Sequence, residues 1–234
     1  MLIAYETAVQ NLIQSPQSPT PLVPLATIDA AINKARFQLA GETECIRKQG
    51  TLALSSGVAE YPFFQIAVLS PSGAGQAIAV RLVKVGNTRI DLRPWEWFFN
   101  YYINNGVIGT PSVAAQLGQG ENGSLFFNPV PNLSLTATVD IAAFPNILVD
   151  DTTEEGIPYP WHDAVPFYAA WLILMSLQRQ SDANSMYQRY ETLAKRGRQI
   201  STPTVLPDNM PGGVGAHMAA DKTTLAIELQ RQQR

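Results

Sequence analysis

The sequence predicts an α+β protein: N-terminal helices and a C-terminal helix pair form a helical bundle, an antiparallel β module is inserted between them, and an extended tail follows. Apolar residues recur at helical spacing towards both ends, whereas in the middle they alternate with polar residues. Strands and helices are segregated along the chain and do not alternate as βαβ units. We therefore expect N-terminal helices in residues 1–43, the β module in 44–148, C-terminal helices in 149–200 and the tail in 201–234.

Two helices are predicted before the β module. The first has apolar residues at helical spacing, namely Ile3, Ala4, Ala8, Leu12 and Ile13. Four prolines between Pro16 and Pro24 then exclude regular structure. The second helix is expected to follow an N-cap at Thr27 and to end at Gly41. Its buried stripe would consist of Ile28, Ala31, Ile32, Ala35 and Leu39.

Alternating apolar positions predict the strands of the β module. The segment "CIRKQGTLALSSGVAEYPF" is typical of a hairpin with a Ser-Ser-Gly turn, and "QAIAVRLVKVGNTRIDL" of a second hairpin that turns at Gly86-Asn87. Two further strands are expected in "GSLFFNPVPN" and "LSLTATVDIAAF". The β module is therefore expected to contain one short helical interruption, in "RPWEWFFNYYINNG".

That interruption carries six aromatic residues in eight positions, and Pro94 is expected at its first helical position. One face would consist of Trp95, Phe98, Phe99 and Tyr102, and the opposite face of Trp97 and Tyr101. Burying one such side chain is worth roughly 1.5–3 kcal/mol, so that six left in water would forgo on the order of 10–20 kcal/mol. Three uses remain open: core alone, core plus a protein partner, or a stacking platform for sugars or bases.

Two helices are predicted after the β module. The segment "WHDAVPFYAAWLILMSLQRQ" is apolar almost all round, which indicates a buried helix, and its apolar run is too short to span a bilayer. Ser181 or Asp182 is expected to cap the next helix. Its apolar stripe of Met186, Tyr190, Leu193 and Ala194 lies opposite the cations Arg189, Lys195, Arg196 and Arg198. These cations would contact either solvent or a partner.

Composition argues against nucleic-acid and membrane binding. Only 15% of the residues are charged, against a usual quarter, and the net charge is −3. Such a chain lacks the basic surface that binds nucleic acids or anionic lipids. Its first residues also lack the basic region and cleavage site of a secretory signal.

Catalytic and metal-binding patterns are scarce, so we predict neither an enzyme nor a cofactor. The single Cys45 excludes an internal disulfide or a CxxC site and is expected in a strand as a small apolar residue. His162 lies beside Asp163 at a helix start, and His217 lies in the tail. The GxGxxG string at 118–123 precedes a strand and is expected to form a turn, and Asp150–Glu155 a solvated acidic loop.

Several strings resemble the head-to-tail adaptor proteins of tailed bacteriophages, which are also called connector or head-completion proteins. They are "ARFQLAGETECIRKQGTLALSSGVAEYPF", "LRPWEWFFNYY", "SLFFNPVPN" and "IPYPWHDAVPFYAAWLILMSLQ". Of these, Trp161–Pro166 is the most distinctive. The likeness covers about residues 25–200, and it includes the order of helices, β insertion, helices and tail.

The resemblance implies a structural virion protein at the head-tail junction, made in the bacterial host cytoplasm. Its partners would be the portal protein, tail nozzle or tail-tube proteins, and copies of itself in a ring of about twelve. DNA would pass through the ring without sequence-specific binding, and no membrane would be involved. The alternative is a glycan- or receptor-binding module that uses the aromatic-rich β insertion.

The expected partner contacts fall into three groups. The first is the outer aromatic pair, Trp97 and Tyr101. The second is the cationic group Arg189, Arg196 and Arg198. The third comprises apolar residues of the tail, which the resemblance assigns to portal docking: Pro203, Val205, Leu206, Met210, Leu225, Ile227 and Leu229.

Overall fold

Helices and strands both contribute to the structure, a computed structural model that describes residues 1–14, 22–69, 73–103 and 106–201. The α+β class is confirmed, with five α-helices and ten strands in these residues. The helices are α1 Leu2–Ile13, α2 Leu25–Thr43, α3 Trp95–Tyr101, α4 Val165–Ser176 and α5 Gln180–Ser201. The strands are β1 Arg47–Leu54, β2 Glu60–Pro62, β3 Ala67–Val68, β4 Ala74–Val85, β5 Thr88–Arg93, β6 Ile108–Gly109, β7 Val113–Leu117, β8 Ser124–Asn128, β9 Val130–Pro131 and β10 Leu135–Pro145.

Eight of these strands form one sheet, in the order β2-β8-β7-β5-β4-β10-β1-β3. The prediction of a purely antiparallel module is wrong, because β5 and β7 pair in parallel. The two remaining strands, β6 and β9, form a separate parallel pair. A parallel pair needs a crossover connection, and here the chain from β5 to β7 passes through α3.

One predicted hairpin is confirmed and the other is wrong. Strands β4 and β5 pair across the Gly86-Asn87 turn, where Gly86 has a φ of 58°. In contrast, β1 pairs along all eight residues with β10 and briefly with β3, while β2 pairs with β8. The long β10 satisfies more of the β1 backbone than β2 would, since β2 has three residues and ends at Pro62, which lacks an N–H.

The ends of α2 differ from the prediction, although its buried stripe is confirmed. The helix begins at Leu25, because the Pro24 carbonyl accepts hydrogen bonds from the N–H groups of Thr27 (3.0 Å) and Ile28 (3.3 Å). Thr27 is therefore inside the helix and does not cap it. Gly41 is also inside, and Glu44 ends the helix with a left-handed φ of 51°.

Predictions about α1 and α4 were also wrong in part. In α1 the buried residues are Leu2, Tyr5, Glu6, Val9 and Ile13, so of the predicted stripe Ile3 and Ala4 are exposed. Helix α4 is shorter than predicted, since it ends at Ser176 and Gln178 adopts a φ of 61° before α5 begins.

The sheet and the helices share one hydrophobic core. Helices α1, α2 and α4 pack against one another, and α2 also packs on β10. Helix α5 joins this core through Tyr190, whose ring lies 4.8 Å from that of Tyr168 on α4. The chain divides into the units Met1–Ala194 and Lys195–Arg234, and of the second unit only residues up to 201 are described.

Candidate interaction surface

Helix α3 lies against the sheet through a second, smaller core. The ring of Phe126 on β8 is 4.8 Å from that of Trp95 and 6.5 Å from that of Phe98, measured between centroids. Phe126 pairs with Ala115 across β7 and β8, while its neighbours Leu125 and Phe127 belong to the main core on the opposite face. Phe98 is only 2% exposed. Burial of Phe98 alone is worth roughly 1.5–3 kcal/mol, which holds the short helix on the sheet.

Backbone contacts fix both ends of α3. Pro94 caps the helix and is not its first helical residue as predicted, since its carbonyl accepts the N–H of Phe98 at 3.1 Å. At the other end, the Asn128 side-chain amide donates to the Tyr102 carbonyl at 3.2 Å. Asn128 is itself buried, so the helix end is tied to the interior of β8.

The aromatic face is the outward side of α3, formed by Trp97 and Tyr101 with Arg93 beside them. The Trp97 and Tyr101 rings are 5.3 Å apart, and the Arg93 guanidinium carbon lies 5.0 Å from the Trp97 ring centroid. Tyr101 is 61% exposed. Phe99, which was predicted to face the core, is exposed as well, because Phe98 and Trp95 already fill the space over Phe126. Use of the stretch as core alone is therefore wrong for Phe99 and Tyr101, whereas Trp97 is half-buried and its ring lies 5.0 Å from that of Tyr102.

A second exposed surface, the apolar end, consists of Val58, Val107, Ile108 and Leu133. Backbone hydrogen bonds join its segments: Val130 donates to Val107 at 2.8 Å, and Gly57 donates to Pro131 at 2.8 Å. Ile108 and Leu133 are each more than 60% exposed. Large apolar side chains held this far out of the core by ordered backbone are typical of contact surfaces.

A third exposed surface, the acidic patch, consists of Ile3, Ile147, Val149, Asp150 and Asp151. The Asp151 carboxylate accepts hydrogen bonds from the Met1 amine and from the Ile3 N–H, which brings the start of α1 to this loop. The hydrogen bond from the amine is the main reason that the pKa of Asp151 is lowered. Hydrogen bonds from Thr152 and then Thr153 lower the pKa of Asp150. Both carboxylates therefore stay ionised well below neutral pH.

Beneath the acidic patch lies a buried ion pair that the sequence did not reveal. The Arg36 guanidinium donates to both oxygens of Glu155, at 2.7–3.2 Å, and to the Asn146 carbonyl at 2.7 Å. The Arg36 side chain is 0% exposed and that of Glu155 is 7% exposed. The prediction of a solvated loop over Asp150–Glu155 is wrong for Glu155. The only sign of this ion pair in the sequence was Arg36 itself, a charged residue next to Ala35 in the predicted buried stripe of α2.

Of the predicted cationic contacts, Arg189, Arg196 and Arg198 are all exposed on α5. The predicted tail contacts Pro203, Val205, Leu206, Met210, Leu225, Ile227 and Leu229 lie outside the described residues, as does His217. Of the three predicted groups of partner contacts, the structure therefore describes the aromatic pair and the cationic group.

His162 and Asp163, which are adjacent in the sequence, lie in the 3₁₀ turn that precedes α4. The His162 Nε2 atom contacts the Ile157 carbonyl, and Asp163 is exposed beside it. No group of three or more His, Cys, Asp or Glu side chains in the described part of the chain has metal-site geometry. Within those same residues, no helix has the length and hydropathy needed to cross a membrane. The glycine string forms a short 3₁₀ turn, Gly120–Asn122, that leads into β8.

Two further groups have perturbed acidities for structural reasons. Cys45 lies just before β1 and is half-buried, and this burial raises the pKa of its thiol. Glu6 lies on the buried face of α1. Burial, followed by a hydrogen bond to the neighbouring carboxyl of Asp29, raises the pKa of Glu6.

No protein-family model matches the sequence, and no curated protein matches it significantly. The function must therefore be inferred from the chain's own residues and from the resemblance described above.

Proposed function

We propose that this chain is a head-to-tail adaptor of a tailed bacteriophage. It is a structural protein of the virion that forms a ring of about twelve copies beneath the portal. The ring extends the DNA channel and provides the surface on which tail nozzle or tail-tube proteins assemble. The observation that carries this proposal is the set of exposed apolar side chains on ordered backbone, grouped in the aromatic face, the apolar end and the acidic patch.

A ring subunit needs several such surfaces. Each copy contacts two neighbours, and it also contacts the portal on one side and the tail on the other. In the single chain, Val149 is 77% exposed, Ile108 is 66% exposed and Tyr101 is 61% exposed. In an assembly, side chains of this size would be covered by neighbouring subunits or partners, which makes them candidates for the contacts.

The same proposal includes a role for the helices and for the C-terminal residues. The helices would act as a bundle into which the β module is inserted, with residues 201–234 as an extended arm that docks on the portal. Residues 201–224 reach at most about 80 Å when fully extended. Because an arm that orders on binding meets its entropy cost at that moment, its docking would make assembly sequential.

We assign the aromatic face to a neighbouring subunit or to a tail protein. Tyr101 is exposed and Trp97 is half-buried against Tyr102, so replacing both with Ser should leave the monomer folded and weaken assembly. Electron microscopy of portal rings mixed with wild-type or doubly substituted protein tests this directly. Extra ring density with wild type alone supports the assignment. A large fall in melting temperature would instead mean that both side chains stabilise the fold.

The arrangement of Trp97, Tyr101 and Arg93 also favours the alternative, a glycan- or receptor-binding module. Adjacent rings, one exposed and one half-buried, with a cation beside them form a platform on which sugars stack. The two functions differ in what the isolated monomer binds. Saturable sugar affinity that is lost in Trp97→Ser would support the module, and an adaptor would show none.

A further inference from the structure

The acidic patch has apolar side chains at its centre that no other described part of the chain covers. Val149 is 77% exposed, Ile147 is 60% exposed and Ile3 is 59% exposed. Between Ile147 and Val149, Leu148 points the other way and is buried. The chain thus alternates here as a strand does, with one residue in the core and its two neighbours outside.

The backbone beneath the patch is held in place on α2. The Asn33 side chain donates to the Leu148 carbonyl at 3.0 Å and accepts from the Leu148 N–H at 2.8 Å. Arg36 binds the Asn146 carbonyl and Glu155 on either side of this clamp. The patch is therefore preorganised, and a partner would bind it without first having to order the loop.

The charge around the patch is one-sided. Residues 146–155 contain four acidic residues and no lysine or arginine. The Met1 amine pairs with Asp151 and Arg36 with Glu155, whereas Asp150 and Glu154 form no ion pair with another described residue. Exposed apolar side chains beside unneutralised carboxylates fit a basic partner surface, whose long cationic side chains have aliphatic stems.

The exposed face of helix α5 is basic, while its apolar residues pack in the chain's own core. The helix carries four cations, Arg189, Lys195, Arg196 and Arg198, against the two acids Asp182 and Glu191. Arg189 is exposed and forms no ion pair with another described residue. Carboxylates around the patch and a guanidinium of α5 would each gain a partner when the two surfaces meet.

We propose that the acidic patch binds helix α5 of a second copy of this chain. Ile147 and Val149 pack against the aliphatic stem of Arg189, and carboxylates of the patch pair with its guanidinium. The patch and α5 are different surfaces, so the contact is heterologous, and its repetition gives a closed ring or a filament. This inference rests on the self-assembly part of the proposed function and does not need the portal or a tail.

The test uses two full-length variants in sedimentation-velocity experiments at up to about 100 μM. Val149→Lys places a charge at the centre of the patch, and Arg189→Glu reverses the charge on α5. Each should weaken self-association at least tenfold, as expected from losing roughly 1.5 kcal/mol of apolar burial or a close charge pair. Leu69→Lys and Arg89→Glu are matched controls at exposed positions outside the three surfaces, and both should associate like wild type.

Mixing the two variants provides the sharper result. The Arg189→Glu chain keeps an intact patch, and the Val149→Lys chain keeps an intact α5. An equimolar mixture should therefore form dimers and nothing larger, while each variant alone stays monomeric. Wild type that remains monomeric, single variants that associate normally, or a mixture that does not dimerise would each overturn the inference. Portal binding is measured separately on the same samples. If wild type self-associates but does not bind the portal, the adaptor function is contradicted, whereas this inference is still supported.

Discussion

The buried ion pair between Arg36 and Glu155 should contribute strongly to the stability of the fold, and it should hold the backbone of the acidic patch in place. Glu155→Gln keeps the size of the side chain but removes its charge. The guanidinium then remains in a site where it is 0% exposed, with only neutral partners. Breaking a buried pair in this way costs about 3–5 kcal/mol, a large part of the 5–15 kcal/mol that stabilises a typical domain.

A double substitution separates the effect of an unpaired buried charge from the effect of changed side-chain packing. In Arg36→Met with Glu155→Met, neither charge is left buried, so the double variant should recover most of the loss. The exposed pair of Arg47 and Asp140 is the matched control, since their side chains are 49% and 32% exposed. Asp140→Asn should cost less than about 1 kcal/mol because solvent screens that pair.

Urea unfolding followed by circular dichroism at pH 7 gives all four free energies of unfolding. The expected order is a large loss for Glu155→Gln, a small loss for Asp140→Asn and a near-normal double variant. A Glu155→Gln protein within about 1 kcal/mol of wild type would refute the reasoning, as would a loss equal to that of the exposed control.

Three further predictions can be checked by the same unfolding assay. Gly123→Ala should destabilise by about 1–3 kcal/mol, because a Cβ there would lie 2.4 Å from the Phe63 ring. Tyr190→Phe loses the 2.6 Å hydrogen bond to Glu42 and should cost about 1.5–3 kcal/mol. The pKa of Glu6 is raised, so its contribution to stability is full below the ordinary carboxyl range and is lost as pH rises through the folded pKa. Glu6→Gln should therefore stabilise the protein at pH 7 more than at pH 4, and equal effects at both pH values would contradict this assignment.

Local patterns predicted much of the fold. The α2 stripe, the β4–β5 hairpin and the β8 and β10 strands follow from spacing and turn residues, which act within a few positions. The pairing of β1 with β10 and the parallel pair β5–β7 join residues that are distant in sequence. Such pairings depend on which strands are available to pair with the same edge. The alternation of apolar residues within one segment predicts a strand but does not predict its partner.

The interaction surfaces were predictable only in part. The spacing within "WEWFFNYY" correctly placed Phe98 on the buried side of α3 and Tyr101 on the exposed side, because it depends on helix geometry alone. It wrongly placed Tyr102 opposite Trp97, since Tyr102 lies beyond the last helical residue and its ring is 5.0 Å from that of Trp97. The exposure of Phe99 depends on Phe126, which belongs to a strand 27 residues later in the chain. The acidic patch was missed because its order depends on Arg36, whose buried position becomes visible only when α2 packs against residues 146–155.

The adaptor function is tested most directly by co-sedimentation of the purified protein with the portal ring from the same source, with and without residues 201–234. The proposal predicts saturable binding near one copy per portal subunit, which is lost on truncation while the rest of the chain stays folded. A well-folded full-length protein that does not bind the portal would contradict the adaptor function.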